Sequence, residues 1–118
     1  MDFYLALLDF PMKAFFFASV KTTTLGYNTK DGKLRIGIGK EELVELAKYN
    51  LPVYIFGIDE IGELGYFIAG SELDTALNIN GIPTKYPITP SNLERLYREV
   101  SEYWQISYKN TKFVSSFK

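Results

Sequence analysis

Cysteine and histidine are both absent from this 118-residue sequence. Their absence excludes disulfides, thiolate nucleophiles, thiolate zinc sites, imidazole metal ligation and histidine acid–base catalysis. Only oxygen ligands remain for a metal, which points to magnesium, manganese or calcium. Charge of one sign is lacking too, because 13 Lys and Arg face 14 Asp and Glu for a formal net charge of -1. The chain therefore has no overall positive field to draw in nucleic acid without regard to sequence. No run reaches the roughly 18 apolar residues that a membrane span needs. The N terminus opens on an acidic residue where a signal peptide would be basic. A cytoplasmic protein with no membrane partner is the expectation.

Aromatic side chains are abundant, with nine Phe, nine Tyr and one Trp in a chain that is 47% hydrophobic. Residues 1–118 read as a single domain, long enough to bury about two-thirds of its unfolded surface without covalent staples. Residues 13–21, KAFFFASVK, are apolar on both alternating faces. Phe15, Phe17 and Ser19 share one side, and Phe16, Ala18 and Val20 the other. A buried helix gives the same short run, but the three consecutive aromatics and the Thr22–Thr24 run favour a strand covered on both sides, in the middle of a sheet.

Around this strand the chain reads in order. Asp2 to Asp9 is a strand, antiparallel to residues 13–21 because the link between them is too short for a crossover. Asp31-Gly32 marks a hairpin, since both residue types tolerate positive φ, and Leu34, Ile36 and Ile38 alternate on a returning strand buried on one face. A helix over 40–50 carries Leu43, Leu46 and Ala47 on one side. Pro52 stops it, and LPVYIFGI restarts a buried strand. Asp59 to Glu63 turns around Gly62 into a further strand, LGYFIAG. Ser71 and Asp74 precede a short helix. Residues 80–90 contain three of the five prolines and must run extended. Ser91 and Glu94 have capping-box spacing for a helix over 91–104 with Leu93, Leu96, Tyr97, Val100 and Trp104 on its apolar stripe. The tail from 106 to 118 is an edge strand, a partner-binding arm or disorder.

Chemistry concentrates where Ser19 and Lys21 leave the central strand on the same side. Antiparallel pairing brings Asp2 beside them. An aspartate, a metal-facing oxygen and a lysine are the parts of phosphodiester hydrolysis: carboxylates hold a cation, the cation activates water, and the ammonium orients it or stabilises the transition state. Asp and Lys at strand ends are, however, ordinarily just solvated. The same holds for a local basic rim of Lys21, Lys30, Lys33, Arg35 and Lys40, whose ordinary account is the solvated face of a hairpin.

Asp2-Phe3, then Ser19-Val20-Lys21-Thr22-Thr23, then LAKYNLPVYIFGIDEIGELGYFIAGSEL resemble the successive motifs of the restriction-endonuclease-like, or PD-(D/E)xK nuclease, superfamily, in a small prokaryotic form. The resemblance spans about residues 2–73, with Ser91 to Gln105 as an added helix. It implies a magnesium- or manganese-dependent phosphodiesterase centre at Asp2, Ser19 and Lys21. Two departures weaken that implication. Ser19 stands where an active member has Glu, Asp or Gln, and the helix that normally precedes the first motif is missing before Met1. Glu42 or Glu45 on the following helix would replace the lost ligand if the acid has migrated, although a solvated surface is the ordinary place for either.

The fold expected is α/β (α+β), a mixed central sheet of about five strands with helices packed on it, a restriction-endonuclease-like core lacking its N-terminal helix. The function expected is a catalytically degenerate nuclease-like domain that binds a protein or nucleic acid and needs no cofactor. The alternatives are a metal-dependent DNA endonuclease with a migrated ligand, and a homo-oligomeric structural protein. A homodimer is expected because a fold that begins at its first strand leaves one sheet face short of cover.

Overall fold

The computed structural model describes residues 3–8, 14–48, 51–70, 81–106 and 113–117. Four strands, β1 (Phe3–Leu8), β2 (Ala14–Thr23), β3 (Val53–Asp59) and β4 (Leu64–Ala69), form one sheet in the order β1-β2-β3-β4. β1 runs antiparallel to β2, β2 parallel to β3, and β3 antiparallel to β4. Two helices, α1 (Lys40–Ala47) and α2 (Pro90–Ile106), complete the α+β architecture.

β2 is an inner strand, as its two-sided apolarity requires. Phe16 and Ala18 face a core of Tyr54, Phe67, Leu96, Val100, Tyr103, Phe113 and Phe117, which joins the sheet to α2 and the C-terminal segment. Phe17 faces a second core of Leu34, Ile36, Ile38, Val53, Ile55 and Ile82. Both faces of β2 are thus covered within the chain, while the side chains of β1, on whose cover the expectation of a dimer turns, lie outside the described residues. The indole of Trp104 fastens α2 to the sheet by donating to the Phe15 carbonyl at 2.7 Å.

The fifth strand expected at 33–38 is not part of this sheet. The Asp31-Gly32 turn does form: Gly32 takes a φ of 73°, and the Lys33 amide donates to Asp31 Oδ1 at 3.0 Å. However, β1 and β3 already occupy the two hydrogen-bonding edges of β2. The returning segment lies across the sheet face, where Leu34, Ile36 and Ile38 pack on Val53 and Ile55, and its backbone makes isolated bridges from Leu34 to Tyr27 and to Ile82. Gly57 makes this approach feasible. A Cβ there would lie 3.0 Å from Ile36 Cδ1 and 3.2 Å from Leu34 Cδ2.

Helix α2 begins one residue before the expected cap. Thr89 is the capping residue, its hydroxyl accepting from the Asn92 amide at 3.1 Å. Pro90 therefore sits in the first turn, where its missing N–H costs nothing. Residues 81–89 form no regular element, as the prolines demand, but bend at 84–86 instead of running extended throughout, and their backbone covers part of the outer edge of β4. Phe67 N donates to the Tyr86 carbonyl at 3.0 Å, and Ile88 N to the Gly65 carbonyl at 2.8 Å. Further along that edge, Ala69 N donates to the Phe117 carbonyl at 2.9 Å. The described part of the tail is thus an edge-covering segment with Phe113 and Phe117 buried. The short helix expected after Ser71 and the tight turn at 10–13 lie outside the described residues, as do the side chains of Leu43, Leu46 and Ala47.

Candidate functional site

Ser19, Lys21 and Thr23 project from one face of β2 at the carboxyl end of the parallel β2–β3 pair, the end at which open sheets with parallel strands hold ligands. Ser19 is buried and pairs across the sheet with Phe3 on one side and Ile55 on the other. Lys21 lies opposite Gly57, which presents no side chain of its own.

Glu42 reaches this face from the first turn of α1. Its Oε1 accepts from Lys21 Nζ at 2.9 Å and lies at the long distance of 3.5 Å from the Ser19 hydroxyl. The Lys21 and Glu42 side chains keep 26% and 15% exposure, so the pair is half-buried and only weakly screened by solvent. Glu45, one turn later, points elsewhere and forms an exposed pair with Lys48 at 2.9 Å. Of the residues singled out in the sequence, Ser19, Lys21 and Glu42 come together and Glu45 does not. Asp2 lies outside the described residues.

Hard-cation chemistry of the kind the resemblance implies calls for paired carboxylates. The described part of this centre offers one, Glu42, already tied to an ammonium, beside a neutral hydroxyl. The described residues by themselves thus offer a divalent cation a single carboxylate. An open cleft of about 470 Å³ at the β3–β4 turn is lined by Asp59, Glu60 and Glu63 together with Ile58, Leu64, Gly65 and Ile88. Asp59 spends Oδ1 on the Ile61 and Gly62 amides, both at 3.2 Å. No three carboxylates among the described residues gather so as to hold a metal.

Two polar clusters escaped the sequence reading. Tyr27 and Tyr66 share a hydroxyl–hydroxyl hydrogen bond of 2.8 Å on the Lys21 side of the sheet. That bond, then burial and the nearby Asp59 carboxylate, push the Tyr27 phenol well above its ordinary range. The second cluster centres on Glu99 of α2. Its carboxylate accepts from the Tyr54 hydroxyl, from Ser115 Oγ at 2.7 Å, and from the Ser116 amide and hydroxyl at 3.0 and 2.9 Å. Arg95 donates to the Ser116 carbonyl at 3.2 Å and lies over the Phe117 ring, 4.3 Å from its centroid. One signal was available: Glu99 stands between Leu96 and Tyr103 at i+3 and i+7 spacing, which turns a carboxylate toward the buried side of α2.

No known family, curated protein or solved structure matches the chain. No helix among the described residues is long and apolar enough to cross a membrane.

Proposed function

We propose that this chain is a nuclease-like domain that binds its partner without cutting it. One observation carries the reading: the lysine of the candidate centre is neutralised by Glu42 at 2.9 Å, and the neighbouring ligand position is a buried serine hydroxyl. A lysine held this way has its charge satisfied inside the protein. A serine in place of a carboxylate removes both a hard oxygen donor and a negative charge from the place where a cation would sit. What remains is a half-buried polar pair that ties α1 to β2.

The same 2.9 Å approach favours one second reading, in which Glu42 is the migrated acidic ligand of a metal-dependent phosphodiesterase and Lys21 orients the attacking water. Calorimetric titration of the protein with magnesium and with manganese separates the two. The binding reading predicts no saturable heat. Saturable metal binding that is lost in Glu42→Gln would favour the enzyme.

A further inference from the structure

Residues 33–39 alternate between outside and inside. Leu34, Ile36 and Ile38 are buried on the sheet, whereas Lys33, Arg35, Gly37 and Gly39 are exposed, with Lys30 and Lys40 exposed at either end. From 30 to 40 there are four cations and one carboxylate, a net charge of +3, so the rest of this -1 chain carries -4. The lone carboxylate, Asp31, is engaged by the Lys33 amide at 3.0 Å. Lys21, Lys48 and Arg98 are each held in an ion pair. Lys30, Lys33, Arg35 and Lys40 have no such partner among the described residues. The ribbon is also anchored, since Leu34 and Ile38 are 0% and 2% exposed.

We propose that this ribbon binds the phosphodiester backbone of a nucleic acid without reading its sequence. Same-side residues on an extended backbone recur about every 6.6 Å. That repeat is of the order of the through-space distance between successive phosphates on one nucleic-acid strand, so Lys33 and Arg35 address neighbouring phosphates. Beyond them Gly37 and Gly39 leave the backbone bare for close approach. Base reading needs side chains that reach base edges or stack on them. Tyr27, whose backbone bridges to Leu34 of the ribbon, is instead packed edge-on against Tyr66 with its hydroxyl bonded there. The ribbon feeds directly into α1 and so leads toward Glu42 and Lys21. Electrostatics confined to one ribbon of a net-negative protein makes the binding weak and strongly salt-dependent. The inference rests on the binding reading above and names its partner. Cleavage and metal titration test that reading, and affinity against salt tests this one.

The experiment is fluorescence anisotropy of the whole chain with a short labelled duplex over a potassium chloride series. Four phosphate contacts give a log–log slope of about -3.6, so affinity falls about 150-fold between about 50 and about 200 mM salt. Lys33→Gln with Arg35→Gln halves the slope, leaving a fall of about 10-fold over the same range, at an unchanged melting temperature. Lys30→Gln with Lys40→Gln does the same, and serves if the first pair disturbs folding. Lys48→Gln with Arg98→Gln, on other surfaces, keeps the wild-type slope. The proposal is overturned by absence of duplex binding at about 50 mM salt, by a slope that both ribbon variants retain, or by a poly-glutamate peptide or anionic vesicles binding the ribbon as tightly as the duplex.

Discussion

Lys21 Nζ lies 2.9 Å from Glu42 Oε1, and this contact joins the last turn-ward residues of β2 to the first turn of α1. Removing one partner leaves the other charge half-buried and alone. Glu42→Gln should therefore cost about 1–3 kcal/mol. The double variant Lys21→Met, Glu42→Gln should cost less than the sum of the two single changes, since it leaves neither charge behind. Urea denaturation of the four proteins measures this, and strict additivity would show that the pair does not couple.

Glu99 holds the C-terminal segment through its bonds to Ser115 and Ser116. Replacing it by Ala removes an acceptor shared by three residues, including buried Tyr54, and should cost about 1–3 kcal/mol. Because Ala69 N donates to the Phe117 carbonyl, the same change should speed hydrogen exchange at the Ala69 amide. Unchanged exchange there would mean that the tail is held by its aromatic side chains alone.

The raised Tyr27 pKa sets a direction for alkaline stability. Its hydrogen bond to Tyr66 favours the protonated phenol in the folded state. Below about pH 10, the ordinary phenol value, both states keep the proton and this group adds no pH dependence. Above it the unfolded chain releases a proton that the native state retains, so stability falls as pH rises toward the folded pKa. Urea midpoints from about pH 9 to about pH 11 should fall less steeply in Tyr27→Phe than in the wild type.

The two faces of the sheet should fail in opposite ways. Phe16→Ala opens a cavity in the α2-side core and should cost about 3–5 kcal/mol. Gly57→Val overpacks the other side, where Ile36, Ile82 and Leu34 stand 3.0, 3.1 and 3.2 Å from the position of an added Cβ. That strain should cost about 1–3 kcal/mol or more. Equilibrium denaturation compares them, and a neutral Gly57→Val would contradict the close layering of 34–38 on the sheet.

Much of this arrangement was legible in local patterns. The run KAFFFASVK announced an inner strand because both faces are apolar, and the helix–Pro–apolar-run order announced α1 followed by the buried strand β3. Leu34, Ile36 and Ile38 show where such reading stops. Their alternation reports one buried side correctly, but it cannot say whether the segment bonds at a sheet edge or lies across a face. That choice depended on β3 claiming the second edge of β2, a non-local pairing. Thr89 was overlooked for Ser91 because a capping-box pattern outranked the preference of Pro90 for the first helical turn. In the candidate site, Ser19 and Lys21 followed from strand alternation, and Glu42 was separated from Glu45 only by the way α1 docks. Glu99 and Tyr27 were hidden because their partners lie 16 to 45 residues away in the chain.

The most direct test of binding without cutting is a supercoiled-plasmid cleavage assay with magnesium or manganese, comparing the wild type with Lys21→Ala. A centre in which Lys21 is neutralised by Glu42 and flanked by Ser19 should leave the plasmid supercoiled in both proteins. Robust nicking by the wild type that disappears in Lys21→Ala would contradict the account and make the Lys21–Glu42 pair catalytic machinery.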